Sequence, residues 1–404
     1  MKQTPGLPAA IELMNAFAAL TGLAPASEAQ RRYLWTDAFA VCNFLGLYRQ
    51  TNDEKHKKLA LLLVDRVHNI LGRHRDDDRR KGWISGLDEQ EGELHPTVGG
   101  LRIGKKMNDR GPDDPFDEQL EWDRDGQYYH YLTKWMHALN CVSSITGDPA
   151  FGRWAVELAK TAYAKFTAGP SSGDQRRMHW KMSIDLSYPL VASMGHHDPL
   201  DGLITYCELQ AGLAGGSEEP PDLTGEIEGL AAMCKGKDWT TDDPLGIGGL
   251  LSDAYRVAQM MARGTFPQAD LLAALLDACR LGLRAYVSTD SLESPARYRL
   301  AFRELGLSIG LHALERLQRL IEERPGIFDK VQSPARQVEI LMRYEALTEI
   351  IEGFWLDPAN REAPSFTDHR DINTVMLATS LAPDGYLNLT CNMCENTPAP
   401  SCGY

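Results

Sequence analysis

Nothing in this 404-residue chain approaches the roughly 18 to 20 consecutive apolar residues that a membrane helix needs, so no membrane partner is expected. Positive charge is also short. Lys and Arg number 42 against 56 Asp and Glu, a formal charge of −14. That balance excludes the broad basic surface on which nucleic acid or anionic lipid is held. An uninterrupted secretory leader is missing: one early Lys is followed by a stretch broken by Glu12 and Asn15, so a cytoplasmic protein is expected. The eight cysteines lie mostly inside apolar helical patterns without the spacing of a disulfide framework, as reduced, buried cysteines do. A phosphate loop, a dinucleotide fingerprint in strand–helix context and a GxSxG elbow are all lacking, and no cofactor is expected. The Cys391-Asn392-Met393-Cys394 run near the end has the spacing of half a zinc site but no second half nearby. A loosely ordered tail over 390–404 is the simpler reading, and no metal is expected. Period-two alternation long enough for a sheet is not found either.

What the chain has instead is the helical period. From Glu121 to Phe166 an acidic, aromatic loop opens a helix in which Tyr128, Leu132, Trp135, Leu139 and Val142 recur at steps of three and four. Trp154, Leu158, Ala162 and Phe166 mark a returning helix. Thr146-Gly147-Asp148-Pro149 joins them: Gly147 accepts the left-handed position that ends one helix, Asp148 caps the next and Pro149 suits its first turn. The same hairpin occurs earlier. Thr51, Asp53, Leu59, Leu63, Val67 and Leu71 align with Thr146, Asp148, Trp154, Leu158, Ala162 and Phe166 at an offset of 95 residues (146 − 51). A second echo joins the stretches beginning at His196 and Thr241, with Asp198 aligned to Asp243. Repeats of such periods imply stacked or closed helical pairs.

Asp-Pro recurs at 114, 148, 198, 243 and 357, and the last four are expected to begin helices, with the Asp as cap. Further helices are expected over 11–23, 31–48, 187–195, 199–213, 222–235, 249–263, 267–287, 295–323, 333–353 and 370–381. The fold expected is therefore all-α, one domain over 1–404, with a long loop 75–126 at one rim. Trp83, Phe116 and Trp122 argue that this loop is an ordered lid.

The run Asp125-Gly126, a helix bearing Tyr128 and Trp135, then Thr146-Gly147-Asp148 and the Trp154 helix, resembles the six-hairpin (α/α)6 toroid enzymes. Within them it is most similar to unsaturated glucuronyl hydrolases and N-acylglucosamine 2-epimerase-like proteins. The resemblance implies a toroid, a saccharide substrate and a catalytic acid at Asp125. The chain departs from those hydrolases in lacking a clear second acidic motif, and from the epimerases in lacking their paired helical histidines.

Three stretches hold residues suited to such chemistry. Glu121, Asp123 and Asp125 precede the patterned helix, where its dipole favours ionised carboxylates. Asp125 also has the position of a plain N-cap. Met178 to Asp201 gathers Trp180, Lys181, Asp185, His196, His197 and Asp198 around a short apolar helix, Tyr188 to Met194; Asp198 reads as a cap. Phe366 to Asn373 brings Asp368, His369, Asp371 and Asn373 to the start of the last long helix, which in a closed toroid meets the first. Trp83, Trp122 and Trp180 are placed to stack on sugar rings, and Tyr128 and His130 to line the same mouth.

The activity expected is glycoside hydrolysis of a mono- or oligosaccharide, with Asp125 as proton donor and Asp123 or Asp185 as the second carboxyl. A polysaccharide lyase or sugar epimerase would instead use Tyr128, His130 or His196 as base with Lys181. A non-catalytic helical scaffold is the third reading. Oligomeric state is left open, a homo-oligomer included.

Overall fold

The structure, a computed structural model, describes residues 6–27, 30–168, 176–213, 222–266, 269–328 and 334–389. It is 66% helix and 4% strand, so the fold is all-α. The cysteine-rich tail expected over 390–404 lies outside the described residues. No described helix is long and apolar enough to cross a membrane.

The repeated hairpin is built twice with the same boundaries. Leu34–Thr51 (α2) and Glu54–Leu71 (α3) are displaced by 95 residues from Tyr129–Thr146 (α4) and Pro149–Phe166 (α5) at every end. The joints explain why. Asn52 (φ 55°) and Gly147 (φ 73°) take the left-handed position that closes each first helix. The next residue caps the return: Asp53 accepts the Lys55 N–H and Asp148 the Ala150 N–H, both at 2.9 Å. Thr51 and Thr146 each accept the N–H of that aspartate at 3.2 Å. Asp243 and Asp357 cap in the same way.

The remaining long helices are Leu7–Leu20 (α1), Asp198–Leu213 (α6), Thr224–Cys234 (α7), Pro244–Ala262 (α8), Ala269–Val287 (α9), Ala301–Glu323 (α10), Pro334–Met342 (α11), Ala346–Leu356 (α12) and Arg370–Leu381 (α13). Packing follows a circuit: α2 on α4, α4 on α6, α6 on α8, α8 on α10, α10 on α13, and α13 back on α2. Each of these six carries a further helix: α3, α5, α7, α9, α11 with α12, and α1, respectively. Their burial differs accordingly. In α2 every residue from Leu34 to Leu47 is buried, because the helix is covered on all sides. In α3 the stripe Leu59, Leu63, Val67 and Leu71 is buried, one face at helical spacing. Near the C-terminus the Asp384–Leu387 turn enters the circuit between α2 and α8, where Tyr386 stacks on Phe39 at 4.4 Å.

Three local expectations are corrected. The stretch expected as a helix over 187–195 contains the strand Pro189–Val191, which pairs with Lys181–Met182; that strand in turn pairs with Gln127–Tyr128. Pro189, lacking an N–H, sits at the outer strand of this small sheet. The helix expected over 333–353 is two helices, parted by a turn over Arg343, Tyr344 and Glu345. Asp198 is the first residue of α6 and its Oδ2 caps nothing. The loop 75–126 is ordered, with two short helices, Glu89–Leu94 and Glu118–Glu121. Its arginines bind it inward, Arg75 to the Lys106 carbonyl and Arg110 to the Leu190 carbonyl.

Helices α8 and α10 approach at glycine. A Cβ on Gly248 would lie 2.0 Å from the Gly306 carbonyl oxygen, and one on Gly310 2.6 Å from the Gly248 Cα. Alanine is the better helix former by about 1 kcal/mol, yet Gly248→Ala should lower stability. Parting two backbones costs about 1–3 kcal/mol. A thermal melt checks this; a raised Tm would show that α8 and α10 are not locked there.

Candidate active site

The first turns of all six circuit helices open on one cavity of about 1600 Å³. It is lined by Thr36 and Asp37 of α2, His130 and Lys134 of α4, Asp198 and Asp201 of α6, Gly246 and Asp253 of α8, Phe302 and Gly306 of α10, and Asp371 and Met376 of α13. Acidic residues suit these positions because helix N-termini present unpaired N–H groups and positive dipole ends. Residues 75–77, 102, 104–106 and 122–123 of the long loop line the cavity as well.

One wall is aromatic. The Trp180 ring lies parallel to that of His130 (12°, centroids 6.3 Å apart), 5.1 Å from Tyr128 and edge-on to Trp122 at 5.9 Å. The Lys105 ammonium reaches the Tyr128 hydroxyl at 3.3 Å. Burial, then the neighbouring Lys181 charge, pull Lys105 down to about 8. Burial pulls His130 down to about 4, so its imidazole is neutral at pH 7.

The carboxyls divide by partner. Asp201 accepts from Thr133 and pairs with Lys134 at 2.7 Å. Burial works to raise it, but Lys134 and Arg256 hold it below the usual carboxylate range. Asp253 is paired with Arg256 at 3.0 Å, and burial, then Asp201, raise it. Burial also lifts Asp37, to about 6, against the pull of Arg32. Asp198 differs from all of these. It is 5% exposed, its Oδ2 has no hydrogen-bond partner, and its Oδ1 lies 3.5 Å from His130 Nδ1, itself unpartnered. Burial, then the Asp201 charge, push Asp198 up to about 7. A carboxyl in that state carries a proton it can give to a bound molecule.

No protein-family model matches this chain, and no curated protein matches it.

The residues singled out from sequence fall into two groups. Trp122, Asp123, Tyr128, His130, Trp180, His196, His197, Asp198, Asp368, His369 and Asp371 line the cavity. Asp123 is exposed and makes no ion pair among the described residues. The others lie elsewhere. Asp125 is fully buried, bound to Arg102 at 2.9 Å and to the Gly104 and Gly126 N–H groups at 2.9 and 3.1 Å. Asp185 pairs with Arg80 at 2.7 Å and accepts from Ser183 and Ser187. Lys181 is fully buried and donates to Glu121 and to the Arg124 carbonyl. Asn373 is likewise buried and ties the start of α10 to α13, accepting the Phe302 N–H at 2.9 Å. Trp83 lies under the Arg73 guanidinium, beside a smaller cavity between α3 and α5.

Asp37, Lys105, Lys134, Asp201 and Asp253 are among the cavity residues that sequence reasoning missed. Asp201 offered a signal: it falls one helical turn after Asp198, on the same face. The two lysines offered none, since a lysine on a helix or in a charged loop reads as solvated surface.

Proposed function

We propose that this protein is a glycoside hydrolase, a single-domain (α/α)6 toroid in which the six helix pairs form the ring and loop 75–126 its rim. The observation that carries the reading is Asp198: a buried carboxyl, raised by burial to about 7, whose Oδ2 meets no hydrogen-bond partner, beside an aromatic wall in a cavity large enough for a saccharide. Asp198 donates its proton to the leaving-group oxygen. Asp123, which makes no ion pair among the described residues, is the second carboxyl that such chemistry needs. Trp122, Tyr128 and Trp180 take the apolar faces of the sugar rings. The role expected of Asp125 thus passes to Asp198. Five free cysteines among the described residues are in keeping with a cytoplasmic protein.

One observation favours elimination or epimerisation on the same scaffold. Lys105 lies 3.3 Å from the Tyr128 hydroxyl, the cation–phenol contact such chemistry uses, although burial holds that phenol above its ordinary value. A panel of aryl glycosides and short oligosaccharides separates the readings. Hydrolysis releases a reducing sugar; elimination leaves an unsaturated, ultraviolet-absorbing product; epimerisation releases nothing. On a cleaved glycoside, Trp180→Ala should raise KM roughly tenfold, about 1.4 kcal/mol of lost stacking, with kcat little changed. An unmoved KM would remove the aromatic wall from substrate binding.

A further inference from the structure

Deeper in the circuit, below the cavity floor, lies a cluster that the hydrolase reading does not use. The sulfurs of Cys42 on α2 and Cys141 on α4 and a ring nitrogen of His137 on α4 all lie within 4.8 Å of one another. The three residues are 1%, 2% and 2% exposed. The hairpin repeat places them together: Cys42 shifted by the offset of 95 falls on His137, so the two hold equivalent inward positions on neighbouring helices. Cys141 follows one turn after His137 on the same face.

We propose that Cys42, Cys141 and His137 form a binding site for a single zinc ion. The spacing fits. With Zn–S near 2.3 Å and Zn–N near 2.0–2.1 Å, a tetrahedral ion sets sulfur and nitrogen about 3.6 Å apart. Cys141 Sγ and His137 Nε2 are 3.7 Å apart. The histidine is oriented as zinc ligands usually are, with its other nitrogen, Nδ1, bonded to the Glu208 carboxylate at 2.9 Å. Glu208 is itself held by Arg256 and by Asn140 Nδ2 at 2.8 Å. The Tyr386 carbonyl, 3.0 Å from Nε2, is the nearest further oxygen and the natural fourth ligand. Charge also balances: zinc displaces both thiol protons and the Nε2 proton, and two thiolates neutralise the dication in a site without water. A borderline ion that accepts sulfur, nitrogen and oxygen together suits this donor set. The site would pin α2, α4 and the Asp384–Leu387 turn at one point, a structural role.

Because the ligands are buried, the ion enters as the chain folds. The full chain, expressed with zinc in the medium and purified without chelator, should carry about one zinc per chain by elemental analysis. Refolded with cobalt(II), it should show intense thiolate-to-cobalt charge-transfer absorption and tetrahedral d–d bands. Both signals should vanish in Cys42→Ser and Cys141→Ser, and Glu208→Gln should weaken metal binding about 10- to 100-fold. Zinc far below stoichiometry together with a cobalt spectrum lacking the thiolate band would overturn the proposal. So would wild-type metal content in the Cys42→Ser/Cys141→Ser double variant, which would place the ion elsewhere. If those serine variants fail to fold, Cys391→Ser/Cys394→Ser/Cys402→Ser removes the tail thiols instead; a thiolate band retained there supports the site, and its loss places the ion in the tail and overturns the proposal.

Discussion

Asp198→Asn should cut turnover on the cleaved glycoside by about 10²- to 10⁴-fold, the usual loss when a general acid is removed. The substitution keeps the shape and removes the proton. The pH profile of the wild type should agree: kcat/KM falls as pH rises through about 7, where Asp198 loses its proton. Wild-type stability should fall over a rise in pH as well. An aspartate raised from its ordinary 3.8 to about 7 by burial favours the folded state most fully below the ordinary value. That advantage is lost as pH rises from the ordinary value through about 7, because the unfolded chain sheds the proton freely while the folded chain must keep it, and above about 7 holds a buried charge. At one pK unit per about 1.4 kcal/mol, the wild type at pH 8 carries a penalty of a few kcal/mol that Asn lacks. The variant should therefore melt higher than the wild type at pH 8 and about level with it near pH 4. Retained turnover in Asp198→Asn would remove it as the acid, whatever its stability.

The contrast between Asp198 and Asp125 shows how far this sequence can be read. The repeated hairpins were legible because their grammar is local. A threonine, a left-handed joint and an aspartate within three residues fix where α2 ends and α3 begins, and again for α4 and α5. The packing of α13 on α2 has no local signal, since nothing local reports which ends of a chain meet. The site was legible as a neighbourhood: most of the residues singled out line the cavity. Their roles were not, because a carboxyl's chemistry depends on partners distant in sequence. Asp125 meets Arg102 across the long loop, and Asp185 meets Arg80, 105 positions away. Asp198 carries the Asp-Pro signature of a helix cap, like Asp148 and Asp243, and its burial with an Oδ2 that no hydrogen bond reaches sets it apart. The strand Pro189–Val191 was misread for a related reason. Its short apolar run has no periodicity long enough to tell helix from strand, and its partner Lys181–Met182 is too brief to show alternation.

Asp125→Asn should therefore behave as the reverse of Asp198→Asn, with a large effect on stability and little on turnover per folded molecule. Asp125 anchors the loop where it returns to the body of the protein. Its Oδ2 pairs with Arg102, which also donates to the Ile70 and Arg73 carbonyls, and its Oδ1 accepts the Gly104 N–H. Arg75 stands 3.6 Å from the same carboxylate, though it has Asp77 as a second partner. Asn can still accept the Gly104 N–H but leaves Arg102 buried with no counter-charge. Breaking a buried pair by removing one partner costs about 3–5 kcal/mol, and Asn should sit at the lower end because its amide oxygen keeps part of the bonding. The exposed partner pair Arg75–Asp77 gives the internal control: Asp77→Asn, on a carboxylate open to solvent, should shift stability by less than about 1 kcal/mol. Denaturant unfolding of the two variants beside the wild type measures both, and turnover is taken below the melting range of each. Should Asp125→Asn unfold like the wild type and yet lose turnover by orders of magnitude, the carboxylate reaches the substrate and Asp198 is not the sole donor. A loss of stability with turnover retained leaves Asp125 as the anchor of the loop.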